Sequence, residues 1–160
     1  FYSWFCFSMI RTLLLTLLCF GNDTATTEIY TETKSNDWLT QTRSDSTTTI
    51  CLENQENTCF DLEVARTSVQ REYGLMNRTG MNTMSGMIFV FDTDDIYSFW
   101  MKNTLIPLDM LRVSSTGQII DIQTALPCTE DPCPSYTPIG TARYVVELNA
   151  GIAQLMHITI

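Results

Sequence analysis

From Phe60 onward the chain is a succession of short runs, alternating or wholly apolar, each closed by a turn signal, and such a rhythm builds a sheet with little helix. "CFDLEVA" sets Phe60, Leu62 and Val64 against Asp61 and Glu63, the pattern of a half-buried strand. "GMIFVFD" reads as a buried strand ended by the acidic turn "DTDD", and "IYSFWM" as the next strand. "LDMLRVSSTGQIIDIQTA" predicts a hairpin, Leu108 to Val113 and Gln118 to Thr124, turning through Ser114 to Gly117. "ARYVVELN" is a last strand. Helix signals occur in two places. Thr67 and Gln70 form a capping box ahead of Gly74, and Asn149 is placed to cap a helix through Met156. The expectation is an α+β, mostly β domain: an antiparallel sheet or partly closed small β-barrel with two short helices.

Ahead of that rhythm the chain changes character. Residues 1–21 read as a signal peptide or N-terminal anchor, with the true start placed at Met9. Met9-Ile10-Arg11 is a short basic n-region, and "TLLLTLLCF" is an h-region too short to cross a bilayer. Counted from Phe1, the apolar stretch reaches about 20 residues with Arg11 inside it, which is the case for an anchor. Residues 22–57, crowded with Thr, Ser, Asn and Asp, read as a linker; their β-branched content makes an added edge strand the alternative. Residues 58–160 are then the folded domain. "NDT" at Asn22 and "NRT" at Asn77 match the glycosylation sequon, which matters only in a eukaryotic secretory host.

The chain of 160 residues, with 18 acids against 9 bases, carries a net charge of −9. That field repels phosphate backbones and anionic membranes, so no nucleic-acid partner is expected, and a membrane only through the N-terminal segment. Cys6 and Cys19 fall in the leader, leaving two local pairs, Cys51 with Cys59 and Cys128 with Cys133. An even count behind a signal peptide argues for disulfides in an oxidising compartment, hence a periplasmic or extracellular location. Zinc is a poor alternative: the spacings are not C-x-x-C, and His157 is the one histidine in the chain. No cofactor is expected.

The stretch "FWMKNTLIPLDM" sets polar groups into an apolar run. In a purely structural role Lys102 is a solvated turn residue, Asn103-Thr104 makes a tight turn, Trp100 is core and Asp109 caps or pairs locally. In a functional role Trp100, Lys102, Asn103 and Asp109 converge with Glu130, Asp131 and Tyr136 of the second cysteine loop on one concave surface, an aromatic platform with convergent polar groups. Catalysis has thin support. A nucleophilic triad needs a base, His157 lies at the end of the chain, and the serines lack an elbow motif, so catalytic residues stay unassigned. Asp109 with Glu130 or Asp131 is the carboxylate pair a hydrolase would use. Met76, Met81, Met84 and Met87 could supply soft thioether ligands for Cu(I), although methionine is also an ordinary core filler.

"VARTSVQREYGLM", "GMIFVF", "FWMKNTLIPLDM", "PCTEDPCPSY" and "ARYVVELNAG" stand in one order, and in that order they resemble the domain-of-unknown-function 192 family, also called the uncharacterised protein family 0127. The resemblance spans about Phe60 to Ile160. It implies a small, mostly β, often exported domain and brings no established catalytic residues. Family members usually carry a glycine after the last helix and continue into a further Gly-Asp strand. Here His157 stands at the glycine position, and the pattern expects the domain to lack that closing strand. The reading that follows is an exported, disulfide-containing domain that binds a small molecule, glycan or partner protein, with the carboxylate hydrolase and the Cu(I)-binding protein as alternatives.

Protein isolated without reductant and denatured is expected to show no free thiol in its mature form, because both cysteine pairs are local. Titration of four reactive groups would overturn the pairing.

Overall fold

The computed structural model describes residues 47–52 and 58–160, with the backbone of 29–32 in addition. Its elements run β1 (Ile29–Glu32), β2 (Thr47–Leu52), β3 (Cys59–Ala65), α1 (Ser68–Tyr73), β4 (Ser85–Asp95), β5 (Phe99–Trp100), β6 (Leu108–Val113), β7 (Ile119–Ala125), β8 (Ser135–Tyr136), β9 (Ala142–Asn149) and α2 (Ile152–Leu155). The expected leader, Cys6, Cys19 and the Asn22 sequon lie outside the described residues.

Seven strands form one open sheet in the order β1-β2-β3-β4-β9-β6-β7, and β5 pairs with β8 in a separate two-stranded ribbon. The domain is thus α+β and mostly β, as the alternating runs imply. The sheet is mixed, however: β3 and β4 run parallel while the other neighbours run antiparallel. The reason is α1, since a parallel neighbour needs a crossover connection and residues 66–84 provide one. The helix starts as its sequence requires. Thr67 Oγ1 accepts the Gln70 N–H at 3.2 Å, Gln70 Oε1 accepts the Thr67 N–H at 3.0 Å, and Gly74 ends the helix at φ 49°.

The Thr-rich span read as a linker supplies both β1 and β2, in line with the edge-strand alternative. In β2 Ile50, Cys51 and Leu52 are buried, and Cys51 sits directly across from Cys59, joined to it by a disulfide with Cα atoms 4.0 Å apart. Cys128 and Cys133 form the second disulfide, Cα atoms 5.7 Å apart.

Side chains alternate between the two faces of the sheet and build two cores. Leu62, Ile88, Leu111, Val146 and Leu148 pack on one face with Ile152 and Ala153 of α2 and with Ile158. Phe89, Met110, Leu108 and Val145 pack on the other beneath Met101, Ile106, Leu75 and the ribbon residues Phe99 and Tyr136. Between β4 and β9 the backbones approach so closely that a Cβ on Gly86 would lie 2.2 Å from the Glu147 carbonyl oxygen, so only glycine fits there.

One local expectation changes. Asn149 does not cap α2: it is the last residue of β9, and its Nδ2 donates to the carbonyls of Met81 (3.3 Å) and Asn82 (2.9 Å). The N-cap is Gly151, at φ 87° and without a side-chain oxygen to offer. At the other end the Ile158 N–H bonds the Ala153 carbonyl at 2.8 Å and the His157 N–H the Gln154 carbonyl at 3.2 Å, the double closure of a Schellman motif. It places His157 at φ 52°, a left-handed conformation at the very position where the family resemblance expects glycine. Such a conformation costs a non-glycine residue about 1–2 kcal/mol, against the ~0.5–1 kcal/mol by which glycine loosens the unfolded chain. His157→Gly is therefore expected to stabilise the domain by about 0.5–1 kcal/mol in urea unfolding. A loss of stability would mean that the imidazole contributes more than its backbone strain costs.

Candidate functional site

The ribbon decides what the second face of the sheet presents. β5 pairs with β8 through Phe99 opposite Tyr136 and Trp100 opposite Ser135, so the "FWMKN" segment and the end of the cystine loop, expected to converge, are joined by backbone pairing. The ribbon is held down from below. On the central strand β6, Arg112 is fully buried; its Nη2 donates to the Tyr136 carbonyl at 3.1 Å, and its guanidinium carbon lies 4.9 Å from the Phe99 ring centroid. Gln123 of β7 donates its Nε2 to the Thr137 carbonyl at 3.0 Å. Ser98 Oγ and Thr137 Oγ1 share a hydrogen bond at 2.8 Å.

Around Arg112 the register gathers a polar island: Asp121 lies directly opposite on β7, while Gln123 and Glu147 both lie opposite Met110. Asp121 and Glu147 are themselves buried. Burial pushes the Glu147 carboxyl up to about 8, and the Arg112 charge only partly opposes it. Burial likewise pulls the Arg112 guanidinium below its ordinary value, with Glu147 and Asp121 opposing. Arg112 Nε and Nη1, Asp121 Oδ2 and Gln123 Oε1 are buried and have no hydrogen-bond partner among the described residues. None of these residues was singled out from the sequence. A signal exists: Arg112 shares the inward phase of Leu108 and Met110, and Glu147 that of Val145, and a charge in a buried phase is costly unless it has work to do.

Above this layer the surface is aromatic. Trp100 is 49% exposed with Lys102 Nζ 5.5 Å from its ring centroid. A turn closed by the Thr104 N–H to the Met101 carbonyl, 3.1 Å, sets Asn103 at φ 57°. The Asn103 carbonyl then accepts the Asn77 N–H at 2.8 Å, tying this turn to the end of the α1 loop. Trp100, Lys102 and Asn103 line an open cleft of about 380 Å³ with Tyr73 and Met76; on its far side Trp100 lines a second cleft of about 330 Å³ with Ile96 and Tyr97. The helix residues Val69 and Tyr73, four apart on one face, complete this surface and were also missed; their spacing was the available signal.

The remaining candidates fall elsewhere. Asp109 is 1% exposed and faces the opposite core: its Oδ1 accepts the Thr124 hydroxyl at 2.7 Å and its Oδ2 accepts the Ala153 N–H at 2.9 Å. It supplies from a distant strand the helix cap that Gly151 cannot. Tyr136 packs into the core under the ribbon, and its Oη accepts the Leu126 N–H at 3.1 Å. Glu130 and Asp131 are exposed on the cystine loop. The methionines divide: Met84 packs against one core, Met81 and Met87 against the other, and Met76 receives the Asn103 amide at 3.9 Å. Among the described residues no group of three or more His, Cys, Asp or Glu side chains is arranged to hold a metal ion.

A family model, DUF192, described as "Uncharacterized ACR", matches residues 49–160. The chain belongs to the DUF192 family. A crystal structure of a protein of unknown function from Novosphingobium aromaticivorans is 31% identical over 72% of this chain and 80% of that one, with a TM-score of 0.61. Another, from Sinorhizobium meliloti and named a "putative transcription regulator", is 29% identical over 84% of this chain and 88% of that one, with a TM-score of 0.58. No curated protein matches. In this DUF192 domain the matched span opens inside β2, so the Thr-rich strand belongs in part to the family fold.

Two outcomes follow from the geometry. Lys102→Ala should change stability by no more than about 0.5 kcal/mol, whereas Asp109→Asn, which puts an N–H donor in place of one of two buried acceptor oxygens, should cost ~1–3 kcal/mol by thermal or urea melts. The second concerns pH. Glu147 has its folded-state value raised, so its contribution to stability is full in acid and is lost as pH rises from about 4.5 toward about 8. The melting temperature should fall across that interval by this route, and Glu147→Gln should flatten the decline. An unchanged profile in the variant would show that Glu147 is charged in the folded protein.

Proposed function

We propose that this DUF192 domain is a non-catalytic binding module, exported to the periplasm or the extracellular space, and that it engages its ligand or partner through the Trp100 surface. The observation that carries the reading is an aromatic side chain left half exposed at the junction of two clefts, with a lysine at its ring. Trp100 stands with the exposed Val69, Tyr73 and Ile96 along the two clefts, and a contiguous exposed apolar patch of this kind marks an interaction site.

Two disulfides support an oxidising compartment, and the leader reading of residues 1–21 agrees with export, by cleavage or by an N-terminal anchor. Among the described residues no helix is long and apolar enough to cross a membrane. Binding is favoured over a carboxylate hydrolase because Asp109, the acid such an enzyme would need, has each oxygen committed inside the fold. It is favoured over Cu(I) binding because the four thioethers do not share one side of the sheet. The regulator name belongs to the S. meliloti protein; an excess of nine acids makes nucleic acid a poor partner for this chain.

The test is a thermal-shift and fluorescence screen of the intact protein against soluble small molecules, glycans and peptides, repeated with Trp100→Ala. Hits should vanish in the variant, while its melting temperature stays within a few degrees of wild type. Hits that survive the substitution would move the binding surface elsewhere.

A further inference from the structure

Beneath the ribbon, the side chains that hold it down leave polar atoms unanswered. Arg112 is fully buried and Asp121 is 6% exposed, yet Arg112 Nε and Nη1, Asp121 Oδ2 and Gln123 Oε1 have no hydrogen-bond partner among the described residues. All stand on one face of the sheet: Asp121 lies directly opposite Arg112 on β7, and Gln123 follows on the same face, opposite Met110. The ribbon fixes Arg112 and Gln123 as they stand. Arg112 Nη2 donates to the Tyr136 carbonyl at 3.1 Å while the guanidinium carbon lies 4.9 Å from the Phe99 ring centroid, and Gln123 Nε2 donates to the Thr137 carbonyl at 3.0 Å. Turning either side chain to satisfy its orphan atoms would break these contacts. No ion pair joins Arg112 to Asp121 or Glu147 among the described residues, although both acids are near enough to act on its charge.

We infer that these atoms enclose a hydration site, a small cluster of ordered water molecules that joins Arg112 to Asp121 and Gln123 beneath the ribbon. A buried donor or acceptor left unmade costs the full desolvation of that group, so a fold that keeps several together supplies them with a partner. The mixture of groups identifies it. Arg112 offers donors and a positive charge, while Asp121 and Gln123 offer acceptors, the first of them negative. A cation is repelled by the guanidinium and an anion by Asp121, whereas water is neutral and both donates and accepts. Size points the same way: Arg112 and Asp121 are buried and line neither cleft at Trp100, so the site admits only a molecule that fits between packed side chains. Water in such places ordinarily makes about three hydrogen bonds to groups that otherwise lack one. Nε and Nη1 open on different edges of the guanidinium, so the cluster holds more than one molecule. The ribbon that carries Trp100 is thus seated on the sheet partly through ordered water, which solvates a charge that bulk solvent does not reach.

The experiment uses the full-length protein. A high-resolution crystal structure should show water oxygens at about 2.7–3.2 Å from Arg112 Nε and Nη1, Asp121 Oδ2 and Gln123 Oε1. In solution, isotope-labelled protein should give an Arg112 Nε–H resonance, assigned by its loss in Arg112→Lys, with a nuclear Overhauser cross-peak to water whose sign marks a long-lived bound molecule. Asp121→Asn and Gln123→Met each weaken or remove an acceptor, and each should speed exchange of that proton with solvent by about tenfold, the effect of one lost hydrogen bond. Cooperative thermal melts show that the variants are folded, and the wild-type measurements decide the matter without them. A direct contact of Arg112 with Asp121 and no water between them, or no cross-peak from a resolved Nε–H resonance, overturns the inference. Density at these atoms that refines as an ion overturns water as the occupant. Exchange unchanged in both folded variants shows that Asp121 and Gln123 hold no water at Arg112, which also overturns it.

Discussion

A guanidinium buried against an apolar sheet face holds the second layer of this domain in position. Arg112 donates to the carbonyl of Tyr136 and lies against Phe99, so one side chain reaches both strands of the ribbon. That ribbon has two residues per strand, too few to be stable on its own. Its hold on the sheet comes from Arg112, from Gln123 and from the packing of Phe99 and Tyr136 into the core. Trp100 belongs to this ribbon, so the exposed surface inherits its position from a charge that solvent never reaches.

The cost of that arrangement is visible beneath it. Burying a charge is expensive unless it is well paired, and Arg112 is answered by Asp121 across the strand pair and by Glu147 nearby, which burial itself drives toward the neutral form. Both acids act to hold the Arg112 charge against that burial. On the opposite face a second long-range device does comparable work. Asp109 reaches from β6 to the first turn of α2 and satisfies a helix N–H that its local sequence, Ala150-Gly151, could not.

These two residues explain what could and could not be read from the chain. Strands β6 and β9 and the α1 capping box were legible because period-two alternation and capping chemistry are local: each side chain involved lies within a few positions of the next. The parallel pairing of β3 with β4 was not, because it depends on where α1 lays the chain down. The cap of α2 was assigned to Asn149 on proximity in sequence, whereas the fold draws the acceptor from Asp109 and uses Asn149 to bond the loop before β4. The Thr-rich segment looked like a linker for want of apolar residues, yet β2 gains its burial from Ile50 to Leu52 and its register from the disulfide at Cys51.

The amino-acid sequence by itself determined the class of fold, the pairing of neighbouring cysteines, the family and the two segments that meet at the surface, because each of these is written in local pattern or ordered motifs. Tertiary structure alone decided the roles of the polar residues. Asp109 and Lys102 stand in the same dodecapeptide, and nothing local separates them; one turns into a core where each of its oxygens has a partner, the other stays at the rim over Trp100. The difference arises from which face of the sheet each meets and what packs over that face, and those are set by strands and helices remote in the chain.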